Sequence, residues 1–209
     1  MKLTTPLTIH YDECAFTFPW NDNRQNIHRT VYDTILDGKD ITEDRKTRVF
    51  LYDAIALDAH AELGLVTVRG ARLPEHLKAA SNSLTIKPGD ELEISATLSA
   101  SRKRFMDQRN YTQRVTDEDV PEWAKAMLER NASVSASDIT LISRNDYRVK
   151  KPTISFIVPL VKIRATVIVE DSAAFALIFL NGLGAQKGYG AGMIEVIRDA
   201  KNTVQADSV

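Results

Sequence analysis

Gly182-Leu183-Gly184-Ala185-Gln186-Lys187-Gly188-Tyr189-Gly190-Ala191-Gly192 lies between an apolar run, Ala173 to Leu180, and a shorter one, Met193 to Ile197. The first run reads as a helix and the second as a strand. Five of the eleven residues are glycine, with one lysine and no acid. Glycine at this density permits positive φ and close approach of the backbone to a ligand, so successive N–H groups can face an anion. Lys187 adds a full positive charge. An arbitrary glycine-rich stretch is a surface turn. What sets this one apart is a pair of Gly-x-Gly elements, Gly182/Gly184 and Gly190/Gly192, around an insert that carries the lysine. A phosphate-binding loop of the Walker A kind would place Ser or Thr after the lysine and then a helix, and neither follows here. A dinucleotide fingerprint runs from strand to helix, the reverse of this order.

Upstream of the loop, Asp171 or Ser172 caps the helix, and Ile154 to Val169 reads as a long β segment. Asn145-Asp146 has turn chemistry, with a strand at Ile139 to Ser143 before it. Pro121 suits the first turn of a helix running from Asp119 to about Asn131. Leu92, Ile94, Ala96 and Leu98 alternate as a strand. The second half therefore reads as β-α-β-β-α-β. The first half gives the same order. A strand lies within residues 3 to 18, interrupted near Asp12-Glu13, and a helix runs from Arg24 to Leu36, capped by Asp22 or Asn23 and ended by Gly38. Two strands follow, Thr47 to Leu57 and Leu63 to Val68, then a short helix from Pro74 to Ala80 and a strand from Ser83 to Ile86. Pro88-Gly89-Asp90 is the expected hinge. The fold class is α+β: two tandem ferredoxin-like (βαββαβ) domains, residues 1–87 and 90–209, the second ending in the glycine-rich loop. The polar tail from Lys201 is expected to fray.

The chain has 209 residues, enough for two domains of this size, and 44% of them are hydrophobic, so a proper core is available. The net charge of −1 argues against a protein that coats nucleic acid indiscriminately. Cys14 is the only cysteine, which excludes a disulfide framework. No apolar h-region opens the chain and no run approaches membrane length, so a cytoplasmic protein without membrane contact is expected. No metal-ligand spacing is present, and neither a metal nor any other cofactor is expected.

Chemistry-bearing residues fall in three groups. Of the histidines His10, His28, His60 and His76, only His28 stands out. On a helical wheel it borders the Ile27/Val31/Ile35 stripe, with Tyr32 one turn on, so its ring can be held while its tip meets solvent. A half-buried histidine bonded to a carbonyl would show the same spacing. Basic residues cluster at Arg102-Lys103-Arg104, Arg109 and Arg114, and again at Arg144, Arg148, Lys150, Lys151, Lys162 and Arg164. Singly these are solvated charges; clustered in a near-neutral chain they point to nucleic acid. An aromatic RNA-stacking module is disfavoured, since no RNP-like motif is present and aromatic residues make up only 7%.

The paired Gly-x-Gly elements, the run TVIVEDSAAFALIFLNGLGAQKGYGAGMIEV (166–196) and the trio His28-Arg29-Thr30 together resemble the RAMP proteins, the repeat-associated RNA-binding proteins of CRISPR systems. Within them the chain looks most like the CasE-type pre-crRNA endoribonucleases, of type I-E or a type IV relative. The resemblance implies metal-independent cleavage of a CRISPR repeat hairpin. The substrate's 2′-OH attacks the adjacent phosphate and leaves a 2′,3′-cyclic phosphate, and the crRNA product is retained with other Cascade-like effector subunits. It implies His28 as the proton-transfer group, with Arg29 and Tyr32 beside it. Gly182, Gly184, Lys187, Gly190 and Gly192 are implied as RNA contacts, joined by Arg102, Lys103 and Arg104. The stretch from Arg144 to Lys151, with Arg148 and Lys150, resembles the region that enters the groove of the repeat stem. One position departs from the pattern: several members carry a tyrosine three residues before the histidine, and Gln25 stands there. That departure favours the alternative of a non-catalytic RAMP-type crRNA-binding subunit; His28 opposes it.

Overall fold

Two four-stranded antiparallel sheets, joined by a tight turn at Lys87–Asp90, make up the frame of the computed structural model, which describes residues 5–20, 23–37, 50–57, 62–106 and 109–197. In the first sheet β1 (Leu7–Pro19), β2 (Phe50–Ala56), β3 (Leu63–Gly70) and β4 (Ala80–Ile86) lie in the order β2-β3-β1-β4. In the second, β5 (Glu91–Ser99), β8 (Val134–Lys150), β9 (Ser155–Val169) and β10 (Ile194–Val196) lie in the order β10-β5-β9-β8. Numbered from its own first strand, each sheet has the ferredoxin-like order 4-1-3-2. A two-stranded ribbon, β6 (Ser101–Met106) and β7 (Arg109–Arg114), is inserted after the first strand of the second unit.

Helix α1 (Arg24–Leu36) crosses the first sheet and packs Ile27, Val31 and Ile35 against Phe50, Tyr52, Val66 and Val68. The stripe predicted from sequence is the buried one. Helices α2 (Val120–Ala132) and α3 (Ser172–Asn181) cover the second sheet, where Phe175, Phe179 and Leu128 meet Ile94, Leu98, Ile163 and Val167. The connecting turn holds Gly89 at φ +91°, with its amide on the Val169 carbonyl at 2.8 Å. That conformation is one glycine adopts freely.

One buried cation, Arg69, and one half-buried, Lys162, tie the sheets together. The Arg69 guanidinium on β3 binds Glu13 on β1, donates to the Ile194 carbonyl on β10 and lies 4.2 Å over the Phe179 ring of α3. Lys162 on β9 sits 3.5 Å from both Asp53 on β2 and Glu195 on β10. Burial alone would lower its pKa, but the two carboxylates prevail and hold it above the ordinary value.

The chain departs from the sequence-predicted elements at the unforeseen β6–β7 ribbon, at β8, which runs Val134–Lys150 rather than Ile139 to Ser143, and in three further places. β1 runs unbroken through Asp12-Glu13, because both carboxylates are used: Asp12 accepts from the Leu73 amide and the Ser81 hydroxyl, and Glu13 pairs with Arg69. The helix expected from Pro74 to Ala80 is a single 3₁₀ turn, Glu75–Leu77. Lys78 then takes φ +48°, and Ala80 and Ser81 pair with β1 instead. Asn145-Asp146 is no turn. It lies inside β8 opposite Leu160 and Pro159, and the chain reverses farther on, where the Lys151 amide bonds the Ile154 carbonyl at 2.9 Å. Packing of Val149 against Val158 and Leu160 overrides the local turn preference there. Asp22, Gly38, residues 47–49, His60 and the tail from Lys201, which carried other expectations, lie outside the described residues.

Candidate nucleic-acid cleavage site

The distal half of the β8–β9 hairpin extends past its own sheet and meets the start of α1. Asn23 is the N-cap residue of α1, and its Oδ1 accepts from the Gln25 amide at 3.1 Å, as an N-cap should. The same oxygen accepts from the Lys150 amide at 3.2 Å, while the Asn23 backbone forms a parallel bridge with Arg148. One asparagine thus caps the start of a helix in one unit and joins it to a strand of the other. Next to it Arg24 is only 1% exposed; its guanidinium donates to the Ala54 carbonyl at 2.9 Å and lies 3.9 Å over the Tyr147 ring. The helix is pinned at its first turn.

On the other flank stands the glycine-rich loop. It closes on itself: the Leu183 amide donates to the Gly192 carbonyl at 2.8 Å, and the Gly192 amide to Thr97 on β5 at 2.6 Å. Gly182, Gly184, Gly190 and Gly192 all have positive φ. A Cβ on Gly192 would lie 2.8 Å from the Leu183 carbonyl oxygen, and one on Gly182 2.7 Å from the Leu51 side chain. The glycines are therefore required by conformation and close packing. The amides of Gly182, Gly190 and Gly192 are bonded within the protein, to Ile178, Lys187 and Thr97. These three N–H groups do not face an external anion, because closing the loop consumes them. At the loop's centre a 3₁₀ turn, Lys187–Tyr189, is anchored by the Tyr52 hydroxyl, which donates to the Gly188 carbonyl at 2.7 Å.

Between hairpin and loop lies His28, half-buried on α1. Its ring is 4.3 Å from that of Tyr32 and 5.6 Å from that of Tyr189, centroid to centroid. Tyr32 is 5% exposed and is itself packed on Phe50, so it braces the imidazole from within the core. Arg29 is exposed on the neighbouring face of the helix. The Tyr189 hydroxyl donates to Gln25 Oε1 at 3.4 Å, and its ring meets the edge of Phe156 on β9 at 5.8 Å. Val149, Val158, Leu160 and Ala191 form the small core beneath these rings. The Lys151 ammonium stands 5.9 Å from Tyr189 and 6.0 Å from Phe156. The site thus offers an imidazole and a cation on either side of one phenol ring. Among the described residues, no three His, Cys, Asp or Glu side chains gather as a metal site would require.

The basic residues divide. Arg144 is spent on Asp117 and the Val115 carbonyl, Arg164 on Glu93, Arg114 on Asp146, and Lys162 on its two acids. The Lys187 ammonium donates to the Asn181 carbonyl at 2.7 Å. Arg148, Lys150 and Lys151 are exposed at the hairpin end beside α1. Arg102, Lys103 and Arg104 sit on β6, in the separate ribbon; the side chains of Lys103 and Arg104 lie outside the described residues. Sequence reading passed over Tyr189, Phe156 and Tyr52. The available signal was Tyr189 itself, an aromatic residue within the insert of an otherwise small-residue loop.

No curated protein matches the sequence. Solved structures do match the fold. Thermus thermophilus Cse3 bound to an RNA representing a pre-cleavage complex is 13% identical with a TM-score of 0.65, over 90% of this chain and 99% of that one. Cas6e from Escherichia coli K-12 is 14% identical with a TM-score of 0.64, over 90% and 98%. A chain of a CRISPR RNA-guided surveillance complex is 16% identical with a TM-score of 0.61, over 90% and 98%. At such identities the likeness shows a shared fold, here the tandem ferredoxin-like arrangement. A family model described as CRISPR associated protein matches residues 19–198, from just before α1 to just after β10. With the greater part of its length inside that match, the chain belongs to the CRISPR-associated protein family.

Proposed function

We propose that the protein is a metal-independent endoribonuclease that cuts CRISPR repeat hairpins in pre-crRNA, with His28 as the proton-transfer group. The observation that carries this reading is the position of His28, half-buried on a helix that both the β8–β9 hairpin and the glycine loop hold in place. In the reaction the 2′-oxygen forms a bond to phosphorus and the P–O5′ bond breaks. The 2′-hydroxyl loses its proton and O5′ gains one, leaving a 2′,3′-cyclic phosphate and a 5′-OH. An imidazole, with an ordinary pKa of about 6.5, can serve such a transfer at neutral pH. The protein otherwise holds the phosphate in line, and a helix pinned at Asn23 and Arg24 supplies the rigidity that this requires.

Arg148, Lys150 and Lys151 suit phosphate and groove contacts to the repeat stem, and Arg102, Lys103 and Arg104, on β6 of the inserted ribbon, are further candidates for phosphate contacts. The loop glycines Gly182, Gly184, Gly190 and Gly192 contribute by shaping the wall against which RNA lies. Solved relatives of the fold include a Cse3 bound to RNA and chains of RNA-guided surveillance complexes. This supports retention of the cut RNA within an effector assembly.

A panel of repeat hairpins incubated with the protein in excess EDTA tests the reading. Cleavage should persist, yield the cyclic phosphate and stop when the nucleotide before the cut is 2′-deoxy. Cleavage that needs metal, or that survives the deoxy substitution, contradicts the mechanism. Binding without cutting of any hairpin would instead support a crRNA-binding subunit.

A further inference from the structure

We infer that Tyr189, from the glycine-rich loop, is a catalytic residue whose hydroxyl donates a hydrogen bond to a non-bridging oxygen of the scissile phosphate. The inference rests on the endoribonuclease reading and deepens it. Transesterification at phosphorus concentrates negative charge on the non-bridging oxygens, and a fixed donor aimed at them lowers the barrier. His28 exchanges protons with the attacking or leaving oxygen, so the donor must be a second group beside it.

The neighbours of His28 narrow the choice. Tyr32 is enclosed in the core between His28 and Phe50. Arg29 follows His28 directly and so projects about 100° around the helix from it. Lys187 spends a hydrogen bond on the Asn181 carbonyl within its own loop. Gln25 is 7% exposed and presents Oε1, an acceptor, to the Tyr189 hydroxyl. Tyr189 remains. It is half-buried, its ring is 5.6 Å from that of His28, and the Lys151 ammonium that would draw a phosphate inward is 5.9 Å from its ring.

Its support is built in. Tyr52 anchors the preceding residue through the Gly188 carbonyl, the Tyr189 amide bonds Gln186 at 2.8 Å, and Phe156 meets the ring at 75°. Only the hydroxyl is loosely engaged. At 3.4 Å its bond to Gln25 is long for O–H···O, which prefers about 2.7–2.8 Å, so little is lost when a phosphate oxygen replaces the amide. Gln25 thus parks the phenol in a direction from which it can turn to the substrate.

Tyr189→Phe keeps the ring and its packing and removes the hydroxyl. On a repeat hairpin that the wild-type protein cuts, binding should change less than twofold, while the single-turnover rate falls by about 10²–10³-fold, as for loss of one oxyanion donor. Hairpins with sulfur at either non-bridging position of the cut phosphate supply a second readout. Sulfur accepts hydrogen bonds poorly, so one diastereomer should be slowed in the wild type and no further slowed in the variant. A wild-type rate for folded Tyr189→Phe, with His28→Ala inactive, overturns this inference and leaves the endoribonuclease reading standing. A slowed variant that keeps the full sulfur effect also overturns it, since Tyr189 would then act only through packing. A wild-type protein that cuts no hairpin overturns both.

Discussion

The two halves share one topology and differ in how far their middle strands reach. Among the described residues of the first unit, β2 and β3 have 7 and 8 residues, and one helix covers the sheet. The corresponding β8 and β9 have 17 and 15, and two helices lie on their sheet. The extra length of β8 and β9 is not needed to bury the second core. Residues 147–150 and 155–158 leave it and hold α1 of the other unit, through Asn23, Arg24 and the small core under Tyr189. A duplicated fold has thus been divided: one copy carries the imidazole, and the other extends a hairpin and a loop to fix it. Rigidity at the site is supplied from across the domain boundary.

If that division is real, glycines on the two sides of it should respond differently. Gly89, in the inter-sheet turn, and Gly192, in the loop, have nearly the same φ, +91° and +96°. A Cβ at Gly89 meets nothing within 4 Å, whereas at Gly192 it meets a carbonyl oxygen at 2.8 Å. Gly192→Ala should therefore cost about 3 kcal/mol, and Gly89→Ala about 1 kcal/mol of conformational strain alone. In thermal melts, these correspond to drops of roughly 6–12 °C and 2–4 °C. Equal losses would show that the loop yields rather than braces.

A smaller effect is expected at the loop's anchor. Tyr52→Phe leaves the buried Gly188 carbonyl without its 2.7 Å donor, which should cost about 1–2 kcal/mol in denaturant unfolding. An unchanged midpoint would mean that the Gly188 carbonyl is readily satisfied otherwise. Smallest are the lysine effects, which separate hairpin from loop. Lys151→Ala should lower the salt dependence of RNA binding by about one phosphate contact. Lys187→Ala should leave that slope unchanged, since its ammonium is bonded to Asn181. Salt titrations that reverse the two assignments would make the loop, not the hairpin, the phosphate-binding element.

Much of this was legible in sequence because it is written locally. The Ile27/Val31/Ile35 stripe, the positive-φ glycines and the two helix starts each follow from a residue and its near neighbours, though the choice of Asn23 over Asp22 and of Asp171 over Ser172 as caps does not. His28 at the border of its stripe could be singled out on the same ground. What was not legible depends on contacts between residues far apart in the chain. Tyr189 and Gln25 meet across 164 positions, and Tyr52 and Gly188 across 136. Arg144 looked like an RNA-facing residue beside Arg148, yet Asp117 claims it; no local pattern distinguishes the two. Asn145-Asp146 misled for the same reason, its turn chemistry being overruled by the strand opposite.

In this division of labour the first unit's helix carries the proposed proton-transfer group while the second unit binds and braces. Single-turnover cleavage and equilibrium binding of one repeat hairpin, measured side by side for wild type and His28→Ala, test it most directly. Binding should stay within about twofold while cleavage falls by roughly 10²–10⁴-fold. Cleavage by the variant at the wild-type rate would contradict it, and so would a loss of binding that accounts for the lost cleavage.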